Sequence, residues 1–93
     1  MPNDNNLLAR LKIDLGILNS TVYDERLTVL LGVAEREIKR EGATTLSRDD
    51  TADAELIIDY ARWQWLGRRE PQPMPRDLRY RLNNRIFQEK AGA

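Results

Sequence analysis

Apolar residues recur at helical spacing in four segments of the chain, and glycines or prolines separate these segments. In the first segment, four leucines share one helix face, and Gly16 directly follows the last of them: Leu7, Leu8, Leu11 and Leu15. No segment alternates apolar and polar residues as a β-strand does. The pattern predicts α-helices at about residues 3–15, 24–41, 51–66 and 75–90.

The second helix has a main apolar stripe and a smaller apolar pair beside it. Thr21 and Asp24 form the T-x-x-D pattern of a helix start. The main stripe consists of Tyr23, Leu27, Leu30, Leu31, Ala34 and Ile38. Val29 and Val33 lie off this stripe, and Gly32 between them costs about 1 kcal/mol relative to alanine. Either this side of the helix closely meets a neighbouring copy, or these positions are tolerated irregularities.

The third helix is the most apolar element, and its apolar residues cover roughly 220° of the helix circumference. An arc this wide indicates a helix that is central to the fold or shared with a partner. Trp63 falls near Leu56 and Tyr60, so we expect it in the core. Trp65 falls on the other edge, where it is either an anchor for a subunit interface or a further core residue.

A proline-rich stretch at residues 67–75, GRREPQPMP, separates the last two helices. Three prolines within five positions favour an extended, semi-rigid backbone, and Pro75 suits the first position of the following helix. We therefore predict one all-α domain over residues 1–93. It consists of a core bundle of three helices at residues 4–66, the spacer at 67–75 and a C-terminal docking helix at 75–90.

The fourth helix is apolar on two nearly opposite faces. One face has Leu78, Leu82 and Ile86 at intervals of four residues, and the other has Tyr80 and Phe87, seven residues apart. A bundle of this size can bury only one of these faces. Either the second face meets another chain, or its two aromatic residues are scattered surface positions.

Charge is balanced over the whole chain but divided along it. The 15 basic and 15 acidic residues give a net charge of zero. Residues 1–61 contain 7 basic and 12 acidic residues, whereas residues 62–93 contain 8 basic and 3 acidic ones. This division favours head-to-tail self-association or docking on an acidic surface, although chance variation between helices also produces such differences.

The residues that are missing exclude most catalytic chemistry. The chain has no cysteine and no histidine, so it has no disulfide, no thiolate zinc site and no Ser-His triad. It has no glycine-rich nucleotide-binding loop. Asp49, Asp50 and Asp53 do not fit the calcium-loop spacing and are better explained as helix-capping residues. We therefore predict a protein that is not an enzyme and has no cofactor, no metal, no signal peptide and no membrane segment.

Four stretches of the chain resemble the head–tail connector family of tailed bacteriophages, also called adaptor or head-completion proteins. They are LLARLKIDLGI, YDERLTVLLGVAEREIKREG, DAELIIDYARWQWLGRRE and MPRDLRYRLNNRIFQEKAG. The resemblance lies in the order, length and spacing of these helical segments over about residues 7–90. No single motif in it is diagnostic.

The resemblance implies a structural role at the junction between head and tail. Members of this family form a ring of about a dozen copies beneath the portal protein at the capsid vertex. The ring extends the DNA channel, is in passing contact with the genomic DNA and supports the next connector or tail-completion protein. A phage or prophage protein of this kind is made in the cytoplasm of the bacterial host and resides in the virion.

The resemblance and the surface pattern together predict two sets of contact residues. Arg76, Arg79, Tyr80, Arg85 and Phe87 are expected to face the portal or a neighbouring subunit, because the C-terminal helix of family members commonly docks on the portal. A second set is expected to face the adjacent subunit: Val29, Val33 and Trp65.

Two other functions are compatible with the sequence. Several arginines on one helix also suit a small DNA-binding module, although the zero net charge and the aromatic residues among those arginines count against it. A dimeric interaction module is the third alternative. The salt dependence of DNA binding and the mass of the native assembly distinguish the three.

Overall fold

The computed structural model describes residues 4–92 of the chain, with side chains described from Leu7 onward. This range contains no β-strand and four α-helices: α1 (Asp4–Leu15), α2 (Asp24–Glu41), α3 (Thr51–Leu66) and α4 (Arg76–Gly92). The all-α class is therefore confirmed, and α3 has the predicted bounds. The predicted first residue of α1, Asn3, lies outside the described residues.

The ends of α1 and α2 follow the local sequence. Gly16 and Gly42 have φ angles of 73° and 137°, which residues with a side chain rarely adopt, and they end the two helices. α2 begins at Asp24, directly after Tyr23, whose side chain makes no capping hydrogen bond. Thr21 contributes its backbone carbonyl, which accepts from the Asp24 N–H at 3.2 Å. The T-x-x-D pattern therefore marks the start of α2 correctly, although the bond from Thr21 is made by its backbone.

The starts of α3 and α4 follow their capping residues. The side chain of Asp50 accepts from the Asp53 N–H at 3.0 Å and caps α3, as predicted. α4 begins one residue after Pro75, whose carbonyl accepts from the Arg79 N–H at 3.0 Å. The helix continues to Gly92, two residues beyond its predicted end.

The core is organised around α3, which packs against each of the other three helices. This position explains its wide apolar arc, because α1 and α2 cover one part of its surface and α4 covers another. The largest fully buried side chains come from all four helices: Leu7, Leu11, Leu27, Leu31, Ile38, Ile57 and Leu82. The main apolar stripe of α2 is thereby confirmed as its core face from Leu27 to Ile38, whereas Tyr23 precedes the helix and is 43% exposed.

α4 lies along α3 in the opposite direction. Two ion pairs, Arg81 with Asp59 and Arg85 with Asp53, join the helices in reverse residue order, so the helices are antiparallel. The predicted inner stripe of α4 lies in the core or packs against it: Leu78, Leu82 and Ile86. The core therefore extends beyond residues 4–66 and includes the inner face of α4.

The proline-rich spacer directs α4 back onto the bundle. Residues 67–70 form a bend, and residues 71–75 continue without helix or strand. The indole N–H of Trp63 donates to the Gln72 carbonyl at 3.0 Å, and Met74 packs against the core. The spacer is thus fastened to the end of α3, and it does not hold α4 away from the bundle.

Candidate partner-binding surface

The side of α4 that points away from α3 forms one exposed stripe, which we call the outer face of α4. It consists of Arg76, Tyr80, Asn83, Phe87 and Lys90. Alternating intervals of four and three residues place these positions on one side of the helix, and every one of them is exposed. The outer face therefore combines two cations and two aromatic rings with no acidic residue.

The two aromatic rings are the main apolar feature of this face. Tyr80 is 66% exposed and Phe87 is 70% exposed. Seven residues of helix separate them by about 10 Å along the axis. A single exposed apolar side chain needs no explanation, but two aligned aromatic rings on one helix face are typical of a binding surface. This outcome matches the prediction that the bundle buries only one face of α4.

The arginines of α4 that lie beside the inner stripe pair with carboxylates of the same chain. Besides the Arg85 and Arg81 pairs with α3, Arg79 Nη1 lies 2.9 Å from Glu41 Oε1 at the end of α2. The basic C-terminal part and the acidic body predicted from the charge division thus meet within one chain. Head-to-tail association is therefore not needed to balance the two charges.

The structure contradicts the prediction that Arg85 faces a partner. Its side chain is only 16% exposed, and its Nε lies 2.7 Å from Oδ1 of the buried Asp53. The hydrogen bond with Asp53 raises the pKa of Arg85 above its usual value, so the guanidinium stays charged. Arg79 is partly engaged by Glu41, whereas Arg76 is exposed on the outer face.

A carboxylate near the end of α4 is held by five donors, an arrangement that we call the Glu89 clasp. Glu89 accepts from the N–H groups of Thr44 and Thr45 at 2.8 and 2.9 Å and from both of their hydroxyls. Arg85 Nη1 adds a contact at 3.3 Å. Helical spacing does not predict this clasp, although Glu89 is the only acidic residue of α4 beyond its first turn. The clasp fixes the C-terminal half of α4 to the loop that follows α2.

The Glu89 clasp predicts how the stability of the fold depends on pH. The bonds from the Thr44 hydroxyl and the Thr45 N–H lower the pKa of Glu89 from 4.5 to about 2. A carboxylate whose pKa is lower in the folded state stabilises the fold fully at pH values above its unfolded-state pKa. This stabilisation is lost as the pH falls through the folded-state pKa. We therefore expect Glu89→Gln to lower the urea midpoint at neutral pH and the difference from the parent to shrink between pH 4.5 and pH 2.

The matched control for this measurement is Gln88→Ala, which removes an exposed side chain from the same turn of α4. The urea midpoint of Gln88→Ala should differ little from that of the parent, and this difference should not change with pH. A Glu89→Gln difference that stays constant throughout this pH range would show that ionisation of Glu89 does not stabilise the fold.

The second predicted surface, on α2, has a mixed outcome. Val29 is exposed, and Val33 is half-buried beside Trp63 and Pro71 in a shallow cleft. A Cβ atom at Gly32 would contact nothing within 4 Å. Packing within the chain therefore does not require a glycine here, and this side of α2 remains open to a neighbour.

Trp65 does not belong to an open surface, and its predicted place in a subunit interface is wrong. It is only 6% exposed. The ring of Tyr23 meets it edge-on at 5.2 Å, and the Arg68 guanidinium lies 3.9 Å from its ring centroid. Core packing, the alternative noted for this residue, accounts for its position. The wide apolar arc of α3 did not predict the burial of Trp65, because helical spacing does not show which edge of the arc another helix covers.

The connection between α1 and α2, together with the last turn of α1, forms a further exposed apolar area that was not predicted. Ile13, Leu18 and Val22 are all exposed there, and Val22 is 80% exposed. Ile13 lies off the leucine stripe of α1, which was the available signal. Leu18 and Val22 lie between helices, where helical periodicity gives no signal.

The aspartates around the start of α3 have structural roles. Asp50 caps the helix, and Asp53 pairs with Arg85 and accepts from the Ser47 N–H at 3.1 Å. Among the residues described, no group of three or more potential ligands is placed to hold a metal ion. Within the same range, no helix has both the length and the apolar character needed to cross a membrane.

Comparisons with known proteins identify no relative of this chain. No family model, no curated protein and no solved structure matches the chain. The functional conclusion therefore depends on the surfaces described above and on the sequence resemblance.

Proposed function

We propose that this protein is a structural subunit of the head–tail connector of a tailed bacteriophage or prophage. It assembles into a ring beneath the portal protein, extends the DNA channel and joins the capsid to the tail, with no catalytic step. The main supporting observation is the outer face of α4, which presents two exposed aromatic rings between two cations. A structural subunit needs such a surface for protein contacts, and the portal is the partner that the sequence resemblance implies.

The structure favours this role because α4 presents its outer face from a fixed position. Leu78 and Leu82 bury its inner side, and the Glu89 clasp holds its far end. A face that is already ordered loses little conformational entropy when a partner covers it. Aromatic rings and arginines are also the side chains that most often dominate binding energy at protein interfaces.

A ring requires two different surfaces on each subunit, because heterologous contacts repeat around the rotation axis. The outer face of α4 is one candidate, and the side of α2 with Val29 and Val33 is another. The exposed residues at the connection between α1 and α2 enlarge the apolar area available for such contacts.

The DNA-binding alternative receives less support from the arrangement of charge. Arg79, Arg81 and Arg85 each bond to a carboxylate of the chain itself, so they are poorly placed to contact several phosphates. A dedicated DNA-binding protein would lose duplex affinity by orders of magnitude between low and moderate salt. We expect weak duplex binding, without sequence preference, at low salt.

The proposal predicts a defined effect of removing both aromatic rings. We expect Tyr80→Ala/Phe87→Ala to weaken docking on the portal ring by about tenfold or more while leaving the urea midpoint close to that of the parent. Native mass spectrometry at rising protein concentration, with and without the portal ring, measures assembly and docking together.

Gln88→Ala provides the control, because this exposed residue lies on α4 but off the outer face. Its docking should equal that of the parent. If the double aromatic variant assembles and docks like the parent, the outer face of α4 is not the contact surface. A protein that remains monomeric both at high concentration and with the portal ring would contradict the connector proposal itself.

A further inference from the structure

α4 is connected to the rest of the chain by one exposed bend. Residues 67–70 form that bend, and Arg68, Arg69 and Glu70 are all exposed. The next five residues include three prolines, which stiffen the backbone without helical structure. A change of backbone angles confined to residues 67–70 would therefore redirect everything from residue 71 onward as a unit.

The contacts that hold this unit all have their partners on the body of the chain. Arg79 bonds to α2, Arg85 bonds to α3, and Glu89 bonds to the loop between α2 and α3. The Gln72 carbonyl accepts from Trp63 on α3. Because none of these partners lies in the bend, another copy of the chain offers the same set in the same arrangement.

The spacer is long enough to reach such a copy. Nine residues at about 3.1 Å each span about 28 Å when extended. The molecule is only 17 Å thick along its shortest axis. A straightened spacer is longer than this dimension but shorter than the other two, of 42 and 35 Å, so it can carry α4 onto the body of a neighbour stacked along the short axis.

We infer that α4 is an exchangeable element, which docks either on its own body or, in the assembled state, on the body of the adjacent copy. Exchange replaces each contact with an identical one between chains, so opening the bend is the main structural change. The inference rests on the self-assembly part of the proposed function, and it adds that each subunit holds the C-terminal helix of its neighbour. The outer face of α4 stays uncovered in either position.

Cysteine cross-linking between two variants tests the exchange, since the chain has no cysteine of its own. Glu41→Cys and Arg79→Cys each remove one partner of a partly exposed ion pair, so both variants should fold. The two variants are unfolded in urea, mixed in equal amounts, refolded together at high concentration and treated with a short bis-maleimide. Exchange predicts a covalent dimer containing one chain of each variant.

Arg10→Cys and Glu55→Cys form the matched control pair. They replace an ion pair of 3.2 Å between α1 and α3, which both lie in the body and are not exchanged. After identical treatment, we expect about tenfold more mixed dimer from the α4 pair than from this control pair. An equal yield from the two pairs would overturn the exchange.

Native mass spectrometry of the parent chain, with and without a portal ring, separates this inference from the proposed function when it is read beside the cross-linking result. A ring that forms with no excess of mixed dimer overturns the exchange and leaves the connector proposal intact. A mixed dimer that forms in small assemblies which never bind a portal ring supports the exchange and contradicts the connector proposal. A chain that stays monomeric under all conditions contradicts both.

Discussion

Replacing Asp53 with alanine should lower the free energy of unfolding by about 3 kcal/mol, because it leaves a largely buried guanidinium without its main partner. Asp53 is 4% exposed and Arg85 lies against it at 2.7 Å. The guanidinium would then keep only weaker contacts, with Glu89 at 3.3 Å and with the Thr45 hydroxyl at 3.1 Å. The Ser47 N–H would also lose its acceptor.

Urea unfolding of Asp53→Ala and Asp59→Ala provides the comparison, because both aspartates pair with an arginine of α4. The Asp59–Arg81 pair is about one-third exposed on each side, so its loss should cost less than about 1 kcal/mol. The double variant Asp53→Ala/Arg85→Met should regain part of the loss, since the largely buried guanidinium is removed together with its carboxylate, while Glu89 keeps its bonds from Thr44 and Thr45. Equal losses for the two single variants would show that burial does not determine the strength of these pairs.

Leu82→Ala should destabilise the protein by about 3 kcal/mol, since large-to-small substitutions at buried leucines cost roughly 2–5 kcal/mol. Leu82 is 0% exposed and is the most deeply buried residue of α4. Its removal leaves a cavity between α4 and α3, where few other apolar side chains hold the helix. Thermal and urea unfolding both measure this change.

Phe87→Ala is the control for Leu82→Ala, because it removes a larger side chain from the same helix. Phe87 is on the outer face, so its removal should change the free energy of unfolding by no more than about 0.5 kcal/mol. A loss as large as that of Leu82→Ala would mean that Phe87 is packed in solution and is not available to a partner.

The two faces of α4 have different roles: the inner face stabilises the fold, and the outer face is an ordered surface that a partner can bind. Leu78 and Leu82 supply burial, and the ion pairs of Arg81 and Arg85 select the antiparallel register with α3. Removing one partner of a buried ion pair is costly, so a shifted register that separated Arg85 from Asp53 would be disfavoured. The outer face is thereby held in a defined orientation.

Local sequence patterns were sufficient to predict the helices and the two faces of α4. Glycines and prolines mark the helix ends because few other residues tolerate or impose those backbone angles, and α3 accordingly has its predicted bounds. The spacing of Leu78 and Leu82 against that of Tyr80 and Phe87 separates a buried face from an exposed one. These features depend on contacts within a few residues, which a local pattern records.

The partners of the polar residues on α4, by contrast, are determined by how the chain turns at residues 67–70. That bend brings Glu89 to Thr44 and Thr45, more than forty residues away in sequence, and Arg85 to Asp53. Helical spacing ranks positions on one helix but does not specify which other helix covers them. Pairings between residues this far apart in sequence depend on the path of the whole chain. The path places Arg85 against Asp53 inside the molecule and leaves Arg76 exposed.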